Sequence, residues 1–273
     1  MIKIMVDSSS DCKAEDNIYD IFVPITINIG GEEFKDGVDI NADKFYDILT
    51  NGNDFPRTSQ PSPQEFLEIF ETAKQNKDTI IYFALSSALS GTYQGALIAK
   101  EMADYDNIFI IDTKTASHMI GVLARYAKQL IEKGVSAEEI VNKCEELKSK
   151  VKVLAGLDTL EYLKKGGRLS STSAMIGTLA NIKPIITVNQ NGQVDTIGKA
   201  LGVGKAIQYI TEKLSSVEID QNFPIYLLYT KGKENSLKLA QKLNLDIKDT
   251  LQVGATIGAH VGPEIYGILY VIK

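Results

Sequence analysis

The sequence has no tryptophan and, in 273 residues, only two cysteines, two histidines and seven prolines. Cys12 and Cys144 lie far apart in the chain, so we expect no disulfide framework. Both are expected to be buried or half-buried small apolar residues in a reducing compartment. The cysteines and histidines also lack the spacing of a zinc site. We therefore expect no metal centre, and no cofactor is predicted.

An excess of basic residues and long apolar runs are missing as well. The formal net charge is −6 and the sequence pI is about 5.1, which argues against DNA or RNA as a partner. No apolar run reaches the roughly 18 residues of a membrane-spanning helix. The first residues turn polar too early for a signal peptide, so a cytoplasmic location is expected. An apolar content of 44% is enough for a true hydrophobic core.

The first half of the chain alternates apolar strands with amphipathic helices. Ile2 to Val6, Thr79 to Leu85 and Ile108 to Ile111 have the apolar character of buried strands. Capping boxes begin helices after Ser62 and Ser136. This order predicts an N-terminal three-layer α/β/α domain with a mainly parallel sheet, spanning residues 1–155.

The second half has a different pattern. The segments Pro184 to Val188 and Val194 to Ile197 flank a turn with Asn191-Gly192 at its tip, which predicts a β-hairpin. Hairpins mixed with helices predict a C-terminal α+β domain with a mixed sheet over residues 156–273. The boundary is expected between Lys150 and Thr159, and the overall class is α/β with two domains.

The segment Ser86 to Tyr93 places the hydroxyl groups of Ser86, Ser87, Ser90 and Thr92 between a strand and a helix. The N–H groups of a helix start are unpaired, and the helix dipole is positive there, so an anion is stabilised. The alternative is plain helix capping, but capping alone needs only one hydroxyl. We therefore predict that this hydroxyl turn binds a small anionic group.

Three other segments contain candidate site residues, each with a structural alternative. Thr58 and Ser59 precede a capped helix and fit a polar loop equally well. His260 lies among glycines, which allow close approach to a ligand but also suit an ordinary turn. Arg168 follows Gly-Gly and fits phosphate or carboxylate binding, or the basic end of a helix. His118 is expected to be a surface residue in the first turn of its helix.

The sequence does not match several motifs that would indicate a specific catalytic function. Gly202 to Ala206 lacks the spacing and the hydroxyl residue of a phosphate-binding loop. No serine lies in a GxSxG elbow, so a serine hydrolase has only weak support. Asp7 and Asp11 could form an acid/base pair, although a self-bonded turn after the first strand is the simpler interpretation.

Taken together, these segments resemble the DegV family of bacterial proteins along nearly the whole chain. The matching motifs are DSSSDC (7–12), GGEEFKDGVDI (30–40), TSQPSP (58–63), SSALSGTYQGA (86–96), IDTKTAS (111–117), LEYLKKGGR (160–168), KP (183–184) and GAHVGP (258–263).

The resemblance implies a lipid-binding protein rather than an enzyme. It implies a long-chain fatty acid held between two domains, as the binding subunit of a fatty acid kinase. A separate catalytic subunit would use ATP to phosphorylate the carboxylate, giving an acyl phosphate for phospholipid synthesis. Transient membrane contact is compatible with this role.

The resemblance also assigns roles to residues. Thr58, Ser90 and His260 match the family's carboxylate-binding positions. Ser59, Ser87, Gly91 and Thr92 would form a supporting shell around the head group, and Arg168 is a candidate contact for the partner kinase. Leu201 and Gly204 stand where the resemblance implies basic residues.

Two further functions stay open from the residues alone. A stand-alone serine hydrolase would use Ser90 as nucleophile and His260 as base, with an acid behind the histidine. A binder of a small phosphorylated metabolite would have a short, polar cavity.

Overall fold

The structure of the protein, a computed structural model, describes residues 1–170, 181–245 and 250–273. Within these ranges the strands form a four-stranded, a six-stranded and a three-stranded sheet.

The four-stranded sheet is entirely parallel. Its strands, in order across the sheet, are β2 (Ile21–Val23), β1 (Ile2–Asp7), β6 (Thr79–Ala84) and β7 (Ile108–Asp112). Side chains alternate along β1, so that Met5 belongs to the apolar core on one face while Ile4 and Val6 belong to the core on the other. One face packs against α2 (Pro63–Asn76) and α3 (Thr92–Ala103), and the other against α4 (His118–Glu132) and α5 (Ala137–Lys148). The predicted three layers are confirmed.

Two of these helices begin at the predicted caps. The Ser62 hydroxyl accepts a hydrogen bond from the Glu65 N–H, and the Glu65 carboxylate accepts one from the Ser62 N–H, with Pro63 at the first helical position. Ser136 caps α5 through the Glu139 N–H. Local sequence therefore determines where both helices start.

The first turns of α4 are buried on all sides, because this helix lies between the parallel sheet and the mixed sheet. The expectation that His118 is a surface residue is wrong: its side chain is buried, and Nε2 lies 2.8 Å from the Gln252 carbonyl oxygen. An amphipathic pattern shows one apolar face, but it does not reveal a second sheet packed against the helix.

The six-stranded sheet is mixed, as predicted. Its strands, in order, are β10 (Val194–Leu201), β9 (Ile182–Val188), β8 (Val151–Leu157), β13 (Ile265–Val271), β11 (Tyr226–Tyr229) and β12 (Thr250–Gln252). Only the β11–β12 pair is parallel. One face is covered by α7 (Gly202–Ser215) and α8 (Glu234–Leu243), and the other shares the core of α4. The predicted boundary after residue 155 falls inside β8.

The three-stranded sheet was not predicted as a unit. It consists of β4 (Glu32–Lys35), β3 (Thr26–Ile29) and β5 (Arg57–Ser59), all antiparallel. Its core is shared with α1 (Ala42–Asn51) and with α9 (Ala255–Val261), which comes from the far end of the chain. This packing brings the C-terminal His260 beside the N-terminal Thr58.

Among the helices of the described ranges, none is both long and apolar enough to cross a membrane.

Candidate ligand-binding site

A cavity of about 380 Å³ lies where β5, the turn after β6, α9 and the loop after α6 (Glu161–Lys165) meet. Its polar lining residues are Thr58, Ser59, Gln60, Ser90, Arg168, Thr256 and His260. Its apolar lining residues are Ile25, Leu85, Leu89, Ala116, Leu163, Val194, Ile257 and Val261. The size suits a small-molecule site, and the mixed lining suits a ligand with both a polar and an apolar part.

A larger, more open groove of about 660 Å³ runs along β2 and α2. It contains none of the predicted site residues, so its size does not make it the better candidate.

Thr58 and His260 are joined directly in this cavity. The Thr58 hydroxyl lies 2.9 Å from His260 Nε2, while His260 Nδ1 is buried with no hydrogen-bond partner in the described chain. Burial and the nearby Arg168 charge lower the pKa of His260 to about 4, so the ring is neutral at pH 7. A proton on Nε2 avoids burying an unpaired N–H at Nδ1. Nε2 then donates to Thr58, whose own hydroxyl proton is free to bond a ligand.

Ser90 lies at the start of α3, as the hydroxyl turn predicted. The Ser90 backbone N–H donates to the Ser86 carbonyl oxygen over 3.1 Å, which closes the turn. The Ser90 hydroxyl lies 2.8 Å from that of Thr92 and accepts a 3.3 Å hydrogen bond from the Thr92 N–H. Gly91, the N-cap residue of α3, has no side chain to cap the helix. Ser90 directly precedes it and therefore stands at the positive end of the helix dipole.

The predicted supporting residues have different surroundings. Ser59 lines the cavity, and Thr92 is buried against Ser90. At Gly91 an added Cβ would lie 2.2 Å from Gln60 Oε1, so the glycine makes room for that amide. Ser87 does not line the cavity: its hydroxyl bonds the Asp112 carboxylate and accepts a 2.9 Å hydrogen bond from Lys114.

Arg168 lies in the cavity wall. Its Nε donates to the Leu89 carbonyl oxygen over 3.0 Å, and its guanidinium also bonds the Gly166 carbonyl oxygen. An added Cβ at Gly166 would lie 2.4 Å from His260 Nδ1, so the first glycine of the Gly-Gly-Arg motif allows the imidazole to approach. Arg168 thus places a positive charge beside the hydroxyl turn and the histidine.

Sequence reasoning missed Gln60 and Thr256 as lining residues. Gln60 lies within the TSQP segment, so its proximity to Thr58 was available as a signal. No local signal marks Thr256, because its place depends on α9 packing against the small sheet.

The geometry does not form a hydrolase triad. His260 Nε2 bonds Thr58 and not Ser90, and His260 Nδ1 has no carboxylate partner within the described residues. No group of three or more metal-ligating side chains occurs in residues 1–170, 181–245 and 250–273. The site can bind an anion through the hydroxyl groups of Thr58 and Ser90, the Arg168 guanidinium and the N-terminus of α3.

The family model described as "uncharacterised protein, DegV family" matches residues 1–273. The chain belongs to the DegV family. It is 39% identical to a DegV domain-containing protein of Caldanaerobacter subterraneus subsp. tengcongensis, over 98% of both chains.

Two solved structures share the fold over the whole chain. A fatty-acid-binding DegV family protein from Thermus thermophilus matches with a TM-score of 0.88 and 30% identity, over 100% of this chain and 99% of that one. A stearic acid-binding protein from Eubacterium ventriosum matches with a TM-score of 0.87 and 25% identity, over 100% and 99% of the two chains.

Proposed function

We propose that the protein binds a long-chain fatty acid in this cavity and presents the carboxylate to a separate, ATP-dependent fatty acid kinase subunit. The observation that carries the proposal is the convergence of Thr58, Ser90, His260 and Arg168 in a cavity otherwise lined largely by apolar side chains. A fatty-acid-binding DegV family protein and a stearic acid-binding protein of the same fold support the choice of ligand.

The carboxylate is held by hydroxyl donors, the Arg168 charge and the dipole of α3. Each charge-assisted hydrogen bond contributes about 1.5–3 kcal/mol, and the helix dipole about 1–2 kcal/mol. A C16 tail buries roughly 14 methylene groups at about 0.8 kcal/mol each, or about 11 kcal/mol before the cost of association. The tail therefore provides most of the affinity, and the polar residues orient the head group.

We assign phosphoryl transfer to a separate subunit that uses ATP, as the family resemblance implies. In that reaction a carboxylate oxygen attacks the γ-phosphorus of ATP, ADP leaves, and the product is an acyl phosphate for phospholipid synthesis. We place the ligand between two domains, residues 1–155 and 156–273.

Native mass spectrometry of the purified protein tests the proposal. The expected result is a co-purifying C14 to C18 fatty acid. After delipidation, palmitate should bind again, and methyl palmitate, which has the same tail but no charge, should bind more weakly. A delipidated protein that fails to bind palmitate would overturn the proposal. A bound phosphorylated metabolite in place of a lipid would favour the small-metabolite function instead.

A further inference from the structure

Helix α9, which carries His260, has no side-chain cap of its own. Its N-cap residue is Gly254, and the cap is supplied by Asp36, some 220 residues earlier in the chain. The Asp36 carboxylate accepts hydrogen bonds from the Thr256 N–H over 2.9 Å and from the Thr256 hydroxyl over 2.6 Å. A carboxylate at a helix N-terminus satisfies unpaired N–H groups and complements the dipole.

Asp36, which caps α9 from a distant part of the chain, is linked by hydrogen bonds to Ile25 and Ser8 in the N-terminal part of the protein. The Asp36 N–H donates to the Ile25 carbonyl oxygen over 3.0 Å, and the Ile25 N–H donates to the Ser8 hydroxyl over 3.0 Å. The Ser8 hydroxyl in turn lies 3.0 Å from that of Thr256. Asp36 and Thr256 are only 5% and 2% exposed, so water does not compete for these hydrogen bonds.

Asp36 and Thr58 are both attached to the three-stranded sheet. Asp36 directly follows β4, and Thr58 lies on β5, both in the three-stranded sheet. Thr256 and His260 are four residues apart on α9, and both line the cavity. The sheet therefore fixes Thr58 directly, and fixes His260 through the cap on the first turn of its helix.

We propose that Asp36 is a positioning residue that, by capping α9 in trans through Thr256, keeps His260 Nε2 in contact with Thr58. The expected effect on ligand binding rests on the proposed function, whereas the positioning itself consists of hydrogen bonds within this chain.

The test uses the full chain labelled with ¹⁵N at histidine, and it reads the imidazole ¹⁵N shifts of His260 without ligand. Asp36→Ala is expected to shift the His260 signals toward a tautomer mixture and to weaken palmitate binding by about tenfold. Asp36→Asn, which keeps an acceptor oxygen, is expected to restore most of the wild-type His260 signals. Thr256→Val removes one of the two hydrogen bonds and is expected to shift the signals in the same direction by less.

Ser136→Ala is the matched control, since it removes a helix cap from α5, far from the cavity. It is expected to lose the stability of a helix cap and to leave both the His260 signals and palmitate affinity unchanged. Wild-type His260 signals in both Asp36→Ala and Thr256→Val would overturn the inference. If Asp36→Ala does not fold, Thr256→Val decides. Shifted His260 signals in the variants, together with a wild-type protein that binds no palmitate, would contradict the proposed function and leave the positioning role standing.

Discussion

His260 Nε2 and the Thr58 hydroxyl lie 2.9 Å apart although 202 residues separate them in the chain. This hydrogen bond joins a helix from the end of the sequence to a strand of the N-terminal small sheet. Because the histidine is neutral and donates from Nε2, the Thr58 hydroxyl proton can point to an anionic ligand. The pair is therefore a preorganised donor whose geometry depends on elements from both ends of the chain.

Ser90→Ala is expected to separate ligand retention from ligand presentation. The variant loses one hydroxyl donor, worth about 1.5–3 kcal/mol, while the buried tail still contributes most of the affinity. Acyl phosphate formation with the kinase subunit should therefore fall more than palmitate retention measured by native mass spectrometry. Ser87→Ala is the control, because its hydroxyl bonds Asp112 outside the cavity, and it should change neither quantity. Equal losses of retention and phosphorylation in Ser90→Ala would contradict the orienting role.

His260 should make stability fall in mildly acidic solution. Its pKa is about 4 in the folded protein, below the ordinary value of 6.5, because burial and Arg168 disfavour the charged ring. Between these values the unfolded chain binds a proton that the folded protein does not. The contribution of His260 to stability is therefore complete above pH 6.5 and is lost as the pH falls toward 4.

Urea unfolding of the wild type and of His260→Gln at pH 7 and pH 5 isolates this effect. The free energy of unfolding of the variant should decline less between the two pH values, by roughly 1–2 kcal/mol. His118, with a pKa of about 4, and the buried aspartates titrate in both proteins, so they cancel in the difference. Identical declines in the two proteins would show that His260 is not buried in its neutral form.

Gly166→Ala should displace the His260 ring, because the new Cβ would lie 2.4 Å from Nδ1. We expect the hydrogen bond to Thr58 to be lost and palmitate affinity to fall by about tenfold, measured by displacement of a fluorescent fatty acid. Gly204→Ala is the control: nothing lies within 4 Å of its added Cβ, and alanine suits its position in α7. An unchanged affinity in Gly166→Ala would mean that His260 does not contribute to binding.

Gly192→Ala should destabilise the protein through the contact between the β9–β10 hairpin and the hydroxyl turn. The Ser86 hydroxyl donates to the Gly192 carbonyl oxygen over 2.9 Å, and an added Cβ would lie 2.1 Å from the Ser86 oxygen. Gly134→Ala is the matched control, because its φ of +74° resembles the +79° of Gly192 but its surroundings are open.

The control should lose only about 1 kcal/mol of the free energy of unfolding, from backbone strain, whereas Gly192→Ala should lose about 2–3 kcal/mol. Urea unfolding measures both values. Equal losses would show that the hairpin tip does not pack tightly on the hydroxyl turn.

Features set by local chemistry could be predicted from the sequence. The capping box at Ser62 and the side-chain cap at Ser136 begin helices where expected, and Asn191-Gly192 lies at the tip of a true hairpin. The parallel sheet and its helices also follow from the order of apolar strands. The caps and the turn depend on residues within a few positions of one another, and the apolar strands recur along the chain. Neighbours along the chain therefore determine these structures.

Features that depend on packing could not be predicted. The three-stranded sheet has strands of only three or four residues, which leave little periodicity to recognise. His118 is buried because a second sheet packs against its helix. Arg168 lines the cavity and bonds the Leu89 carbonyl oxygen, 79 residues away in the chain. The segment around His260 was compatible with a turn, yet it is the end of a helix capped by a residue from the other end of the chain.

The carboxyl signal of bound [1-¹³C]palmitate tests the central claim most directly. In the wild type we predict a single bound resonance, resolved from that of free palmitate. It should move in both Ser90→Ala and Thr58→Val, which alter the groups that hold the carboxylate, and stay in place in Ser87→Ala. A bound carboxyl resonance that is the same in the wild type and all three variants would place the head group elsewhere and contradict the account.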